Sequence, residues 1–228
     1  MEAKMKYLYE MHLHTSEVSS CGRVSGADSG KFYKEKGYSG IVVTDHMVPW
    51  AFDKLGEVSW DKKVDHFMSG YRLVKAAEDE SFDVILGMEL RFVNESENDY
   101  LIYGFTEEWL RANPEPYYLS IKEFKKIADE NNFYIYQAHP FRDHMNIVNP
   151  KYLHGIEVHN GHHGHDSRNS IAEAWAELHS LNQSSGSDYH YLEHLARGGM
   201  LFHERIRTPQ DLYRQLGSGR YGLFKGGF

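Results

Sequence analysis

The sequence predicts an α/β protein built on a mostly parallel sheet or barrel, and three observations lead there. Short β-prone runs alternate with amphipathic helical stretches along the chain. Nearly every β-prone run ends in histidine or carboxylate residues. The length, 228 residues, suits one barrel-sized domain.

The elements follow in order. KYLYEMHL, residues 6–13, reads as a strand that ends at the pair His12 and His14. Period-two spacing sends both imidazoles to one face. Taken alone, the pair fits two surface histidines as well as a ligand pair. SGADSGKFYKEKG is a modest helix closed by Gly37. YSGIVVTDH is a buried-type strand ending in Thr44, Asp45 and His46. From Trp60 the apolar spacing is helical. FDVILGMEL is a strand ending near Glu89, and NDYLIYGF is another, antiparallel or crossing. SIKEFKKIADENN is an amphipathic helix with Ser120 as N-cap and Glu123 at the capping-box position. FYIYQAHP stops at His139, and GIEVHNG ends near His159 and Asn160. SRNSIAEAWAELHSLN is a helix, SSGSDYH delivers Asp188 and His190, and Thr208–Pro209 opens the closing helix. No repeat, low-complexity tract or linker divides the chain, so residues 1–228 read as a single domain.

Composition narrows the function. Hydrophobic residues at 41% are enough for a substantial core. A formal charge of -8 argues against stable nucleic-acid binding, while leaving an anionic small molecule possible at a locally cationic site. One cysteine, Cys21, excludes an intrachain disulfide and a cysteine-rich zinc cluster. No apolar run approaches a membrane span and MEAKMKYLYE lacks a signal-peptide core, so no membrane role and a cytoplasmic location are expected. The unusual feature is 15 histidines.

Those histidines fall with carboxylates at one kind of place. His12/His14, Asp45/His46, Glu89, His139, Glu157/His159 and Asp188/His190 all lie at or just after strand ends. In a β/α barrel such ends share one rim. Imidazole and carboxylate are donors that zinc, manganese and iron accept.

HLHTSEVSSCG, VVTDH, GMEL, QAHPFR and SGSDYH, in that order, resemble the motifs of the PHP (polymerase and histidinol phosphatase) superfamily. The resemblance runs from about His12 to TPQDLYRQL and is nearest to stand-alone bacterial PHP proteins. It implies a distorted (β/α)7 TIM-like barrel holding two or three divalent ions (zinc, manganese or iron) that hydrolyses phosphoesters with activated water. By position it implies His12 and His14 as the first ligand pair, His46 as the next ligand and Glu89 as a bridging carboxylate. His139, Asp188 and His190 match the later ligands. Many relatives carry a further ligand after the first pair. Glu17 is expected to fill that place, with Cys21 a small turn residue beside Gly22. Where some relatives have a middle histidine, only Asn98, Asp99 and Tyr100 stand here.

Other residues are assigned roles from their placement. Asp45 is read as an acceptor that orients an imidazole. Arg142, three residues past His139, is read as a clamp on phosphate oxygens, with Arg168 and Arg197 as alternatives. His159 and Asn160 are expected to contact substrate, and His162, His163 and His165 to form a solvated loop. The expected activity is metal-dependent hydrolysis of a small phosphorylated metabolite or nucleotide, as in a histidinol-phosphatase-like or nucleotide phosphatase. A metal-dependent amidohydrolase is the alternative, but it would usually want a carboxylated lysine at a strand end. A non-catalytic metal-binding module is the other alternative, disfavoured by so full a donor set.

Overall fold

The structure, a computed structural model, describes residues 5–226; the other residues of the expected 1–228 domain lie outside the described ones. Strand β1 (Tyr7–Glu10) leads through helix α1 (Gly26–Glu35) to β2 (Gly40–Val43). The two-residue β3 (His46–Met47) and helix α2 (Trp60–Lys75) precede β4 (Asp83–Arg91). Next come β5 (Asp99–Tyr103), α3 (Glu107–Ala112), α4 (Ile121–Asn131) and β6 (Tyr134–Gln137). The chain continues as β7 (Gly155–Asn160), α5 (Asn169–Leu178) and β8 (Asn182–Gly186). It closes with β9 (Gly199–Phe202), α6 (Pro209–Gly217) and β10 (Tyr221–Phe224).

Helix starts follow their capping residues. Ser25 accepts from the Asp28 amide at the head of α1. The Ser120/Glu123 capping box forms in full, and Thr208 with Asp211 forms a second one ahead of α6.

The sheet order is β10-β9-β1-β2-β4-β5-β6-β7-β8, with β3 added on β4. The sheet curls until β8 meets the opposite end. There the Ser185 hydroxyl donates to the Phe224 carbonyl (2.6 Å) and accepts from the Gly199 amide (3.2 Å). The result is a nearly closed barrel of the PHP type.

The seven-stranded β/α count does not hold, however. β5 is antiparallel to β4 and to β6, and β9 is antiparallel to β1 and β10. The physical cause at β5 is loop length. Residues 92–98 join β4 to β5, too short a connection for a parallel crossover, which needs about a dozen residues or more.

Inward-facing Tyr9, Val42, Ile85, Leu101, Tyr136 and Phe202 fill the barrel, and α6 adds Leu212 and Leu216. At the end where β2 and β4 begin, the Tyr9 hydroxyl donates to Asp83 Oδ2 (2.6 Å) and accepts from the Ile206 amide (2.9 Å). Arg205 holds the same carboxylate through Nε (2.9 Å) and Nη2 (2.7 Å). That carboxylate is thereby fully engaged, and the histidine-rich segments lie at the opposite end of the barrel. No helix among the described residues is long and apolar enough to cross a membrane.

Candidate metal centre

The segment that follows β1 is extended and wedged between two others. Leu13 bridges Tyr189, and its amide donates to Thr44 Oγ1 at 2.9 Å. His12 and His14 therefore project to one side, both fully buried. β3 pairs His46 directly with Glu89 on β4. His139 follows β6, and Asp188 and His190 follow β8. His139 and Asp188 hold left-handed backbone, at φ 29° and 50°. Non-glycine residues adopt that conformation at a cost of about 1–3 kcal/mol, and such strain concentrates at functional sites.

Glu89 lies at the centre. Its Oε1 is 3.1 Å from His139 Nε2 and 3.3 Å from His12 Nε2. Its Oε2 is 3.2 Å from His14 Nε2 and 3.0 Å from His46 Nδ1. Asp188 Oδ1 lies 3.4 Å from His12 Nε2, 3.6 Å from His14 Nε2 and 3.3 Å from His190 Nδ1. Tetrahedral bonds of about 2.0–2.2 Å place neighbouring donors about 3.3 Å apart. The donor set therefore has the spacing an ion would need. One carboxylate serving two imidazole pairs, one pair per oxygen, is the arrangement of a bridging ligand. Donor atoms also gather within 4.8 Å as His12/His14/Asp188, His12/Glu89/His139 and His14/Cys21/His46/His190. His139 Nδ1 and Arg142 Nε are buried with no hydrogen-bond partner.

The cluster attracts positive charge. Burial and neighbouring His46 oppose protonation of His14, yet Asp188 and Glu89 outweigh them and push its pKa up to about 9. Burial works against the Glu89 carboxylate as well, but the surrounding imidazoles hold it well below the usual range.

Glu17 is not part of this cluster, which corrects the sequence expectation. Its Oε2 accepts from the Gly26 amide at 3.0 Å. The free amides at a helix start draw a carboxylate there. Cys21, expected as a small turn residue, lies instead beside His14, His46 and His190, their donor atoms within 4.8 Å of one another. Burial would raise the pKa of its thiol, but hydrogen bonds from His190 and His46 bring it down to about 5. The loop turns tightly enough that a Cβ on Gly22 would stand 2.8 Å from the Thr15 carbonyl. That turn is what presents the sulfur.

Around the donors lies a layer of oriented acceptors. Glu157 Oε1 accepts from His12 Nδ1 at 3.0 Å, and its Oε2 accepts from the His139 amide (3.0 Å) and Asn160 Nδ2 (2.9 Å). A carboxylate behind a ligating imidazole fixes which ring nitrogen keeps the lone pair. Asp45 acts at one remove. Its Oδ1 accepts from the Ser19 hydroxyl at 2.7 Å, and Ser19 Oγ lies 3.1 Å from His14 Nδ1 and accepts from the His46 amide at 3.0 Å. Glu10 Oε1 accepts from the amides of Met11, His12 and Ser187 (2.9, 2.9 and 2.8 Å), and Oε2 from the Tyr33 hydroxyl (2.8 Å). Burial pushes its pKa up to about 7. Sequence reasoning missed the roles of Glu10, Glu157 and Ser19. A charged residue inside the run KYLYEMHL was the available signal for Glu10.

Helix α2 supports this layer at Gly70. A Cβ there would overlap Thr15 Oγ1 and stand 2.6 Å from Asp45 Oδ2. Gly70→Ala is therefore expected to cost about 1–3 kcal/mol through overpacking. The check is a lower urea midpoint with an unchanged slope. A parental midpoint would mean that α2 can move away from Thr15 freely.

The donors face a cavity of about 370 Å³ lined by Cys21, His46, Glu89, His139, Arg142 and Asp188, among others. Arg142 Nη2 donates to Asp188 Oδ2 (2.7 Å), Asn160 Oδ1 (3.0 Å) and Ser167 Oγ (3.3 Å). The other two arginines are not among its lining residues: Arg168 pairs with Asp143, and Arg197 Nε donates to the Gly161 carbonyl. Asp99 lines the cavity but is held by Arg91 through two contacts of 2.7 Å.

His159 and Asn160 are placed differently from their expected substrate contacts. A β-bulge between Glu157 and His159 turns His159 outward. There its Nε2 donates to the Arg197 carbonyl (3.0 Å), and Nδ1 accepts from Asn169 (3.3 Å). Asn160 is buried, and its side chain links Arg142, Glu157 and Asp188. His162 and His165, expected in a solvated loop, instead line the cavity wall. Burial pushes His162 down to about 3, so its ring is neutral.

Comparison with known proteins agrees with this fold. Residues 166–221 match the PHP-associated family. The structure of PsfC from Pseudomonas syringae PB-5123 is similar at a TM-score of 0.70 and 17% identity, over 96% of this chain and 91% of that one. A two-domain protein from Bacteroides vulgatus ATCC 8482, containing a predicted PHP-like metal-dependent phosphoesterase, is similar at 0.67 and 18% identity, over 96% of this chain and 65% of its own. Endonuclease Q, in complex with a 27-mer duplex bearing an abasic lesion, is similar at 0.64 and 16% identity, over 96% of this chain and 58% of its own. No curated protein matches the sequence.

Proposed function

We propose that this PHP-domain protein is a metal-dependent hydrolase whose substrate is a small phosphoester. The observation that carries the proposal is Glu89, with each carboxylate oxygen facing a separate pair of imidazoles. His12, His14, His46, His139, Asp188 and His190 would complete the ligand set, and Cys21 would replace Glu17 within it. Divalent ions held there would lower the pKa of a water toward neutrality and draw charge from phosphoryl oxygens. The protein's own residues do the positioning. Glu157, and Asp45 through Ser19, hold His12 and His14 with their lone pairs inward. Arg142 stands at the cavity wall, where its guanidinium would meet a non-bridging phosphate oxygen. A thiolate donor favours zinc or iron over manganese.

A phosphoester hydrolase also fits the related folds, since the Bacteroides vulgatus protein contains a predicted PHP-like metal-dependent phosphoesterase. Endonuclease Q shares the fold and was captured on DNA. For this chain a charge of -8 and a cavity of about 370 Å³ favour a small molecule over a duplex. No lysine lines that cavity, which leaves the amidohydrolase alternative without the carboxylated lysine it would usually use.

The test begins with protein stripped by a chelator and reconstituted with zinc, iron or manganese. Elemental analysis is expected to give at least two ions per chain, and cleavage of an aryl phosphomonoester should return with them. Cys21→Ser should lower zinc retention more than manganese retention. Folded protein that holds less than one ion per chain after reconstitution would overturn the proposal. Cleavage of an abasic duplex in preference to every phosphomonoester would transfer the activity to nucleic acid.

A further inference from the structure

The stretch HNGHHGHD, residues 159–166, holds four imidazoles that the central cluster does not use. Its loop packs against the short 3-10 turn Leu192–His194. His163 Nε2 lies 3.7 Å from Glu193 Oε1, and the His163 and His194 ring centroids are 4.9 Å apart. Donor atoms of His163, Glu193 and His194 all lie within 4.8 Å of one another. None of the three ligates in the central cluster.

We propose that His163, Glu193 and His194 form a second, peripheral site for a zinc-like divalent ion. Two imidazoles and one carboxylate are a donor set that holds zinc and leaves a fourth position for water. The donors must close from as much as 4.8 Å to about 3.3 Å, the edge of a zinc tetrahedron. His163 and Glu193 are exposed, so closing requires only side-chain rotation at the surface. His194 is buried and anchors the site. The His190 amide donates to its Nδ1 at 3.4 Å, a long contact that competes only weakly with an ion. His162 is left out of the ligand set, because the Gly164 amide already donates to its Nδ1 at 3.1 Å.

Position gives the site a consequence. His163 belongs to the loop whose His162 and His165 line the cavity over the central donors. Glu193 and His194 follow Tyr191, which lines the same cavity. An ion in the peripheral site ties these two walls together and narrows their movement. Zinc bound beyond the central complement would slow the passage of substrate and product.

The test compares the parent with a His163→Ala/Glu193→Ala double variant. Both are stripped of metal, equilibrated with excess zinc and gel-filtered, and zinc per chain is then measured. The parent is expected to retain one ion more than the variant, with equal urea midpoints for the two stripped proteins. Cobalt substitution should show the same difference of one ion, together with loss of one set of visible bands. Equal zinc content in parent and variant overturns the peripheral site. Loss of two or more ions also overturns it, because the variant would then be acting on the central cluster. The difference of one ion is read whether or not the protein cleaves any phosphoester, so it stands or falls apart from the proposed activity.

Discussion

Glu89→Gln is expected to lower turnover of a phosphomonoester by at least ~10²-fold, the scale of losing a two-ion clamp. The carboxylate serves four imidazoles, His12 and His139 through Oε1 and His14 and His46 through Oε2. Glutamine keeps the volume, but it supplies one acceptor oxygen and one amide nitrogen that can only donate. Both imidazole pairs lose the negative charge, and whichever way the amide turns one pair also faces a donor in place of an acceptor. Elemental analysis of the variant should therefore show at least one ion fewer per chain than the parent. The fold should persist, since the substitution lies at the cavity and leaves the packed barrel interior untouched. Parental metal content together with parental turnover would remove Glu89 from the bridging role.

Arg142→Ala is expected to reduce kcat/KM for a phosphomonoester by roughly 10–1000-fold, as one transition-state charge contact is lost. Arg142 also pairs with Asp188 at 2.7 Å, so its effect on metal has to be separated from its effect on phosphate. The sign does that. Removing a cation from beside Asp188 strengthens that carboxylate's hold on an ion, so metal content should stay at or above the parental value. A loss of activity with full metal loading then reports on phosphate. Arg142→Lys should recover only part of the loss, because a point charge does not reproduce the planar fork. Inorganic phosphate should inhibit the parent more strongly than the alanine variant. Equal inhibition of the two would move the phosphate clamp to another residue.

The sequence carried the donors that sit at strand ends, because a strand that stops at the barrel mouth has few other reasons to stop in histidine. His12, His14, His46, Glu89, His139, Asp188 and His190 were legible on that ground, and the structure brings them together about Glu89 and Asp188. Glu17 was misplaced because a carboxylate in a loop looks like a ligand until a helix start is seen to need it. Cys21 was read as a turn residue, and it lies beside three imidazoles. Nothing local distinguishes a turn cysteine from one that a tight loop carries against two imidazoles. The expectation that His159 reaches the site beside Glu157 met a single extra residue. Period-two reasoning puts both on one face, and the bulge between them undoes it. Strand count was least legible, since the antiparallel course of β5 depends on a short loop, and β9 and β10 carry no ligand that draws attention to them.

The place of β1 in the sheet bears on how the molecule comes into being. β1 is flanked by β2 on one side and by β9 on the other. Glu10 accepts from the amide of Ser187, a partner 177 positions further along the chain. Ribosomes add about 5–20 residues per second, so His12 waits on the order of ten seconds or more for Asp188 to be made. Until then the nascent chain offers scattered imidazoles and an open strand edge, with no finished cavity. Ions of the proposed centre would therefore be held only after Asp188 has been made, so the finished cavity, and not the first histidine pair, would capture them.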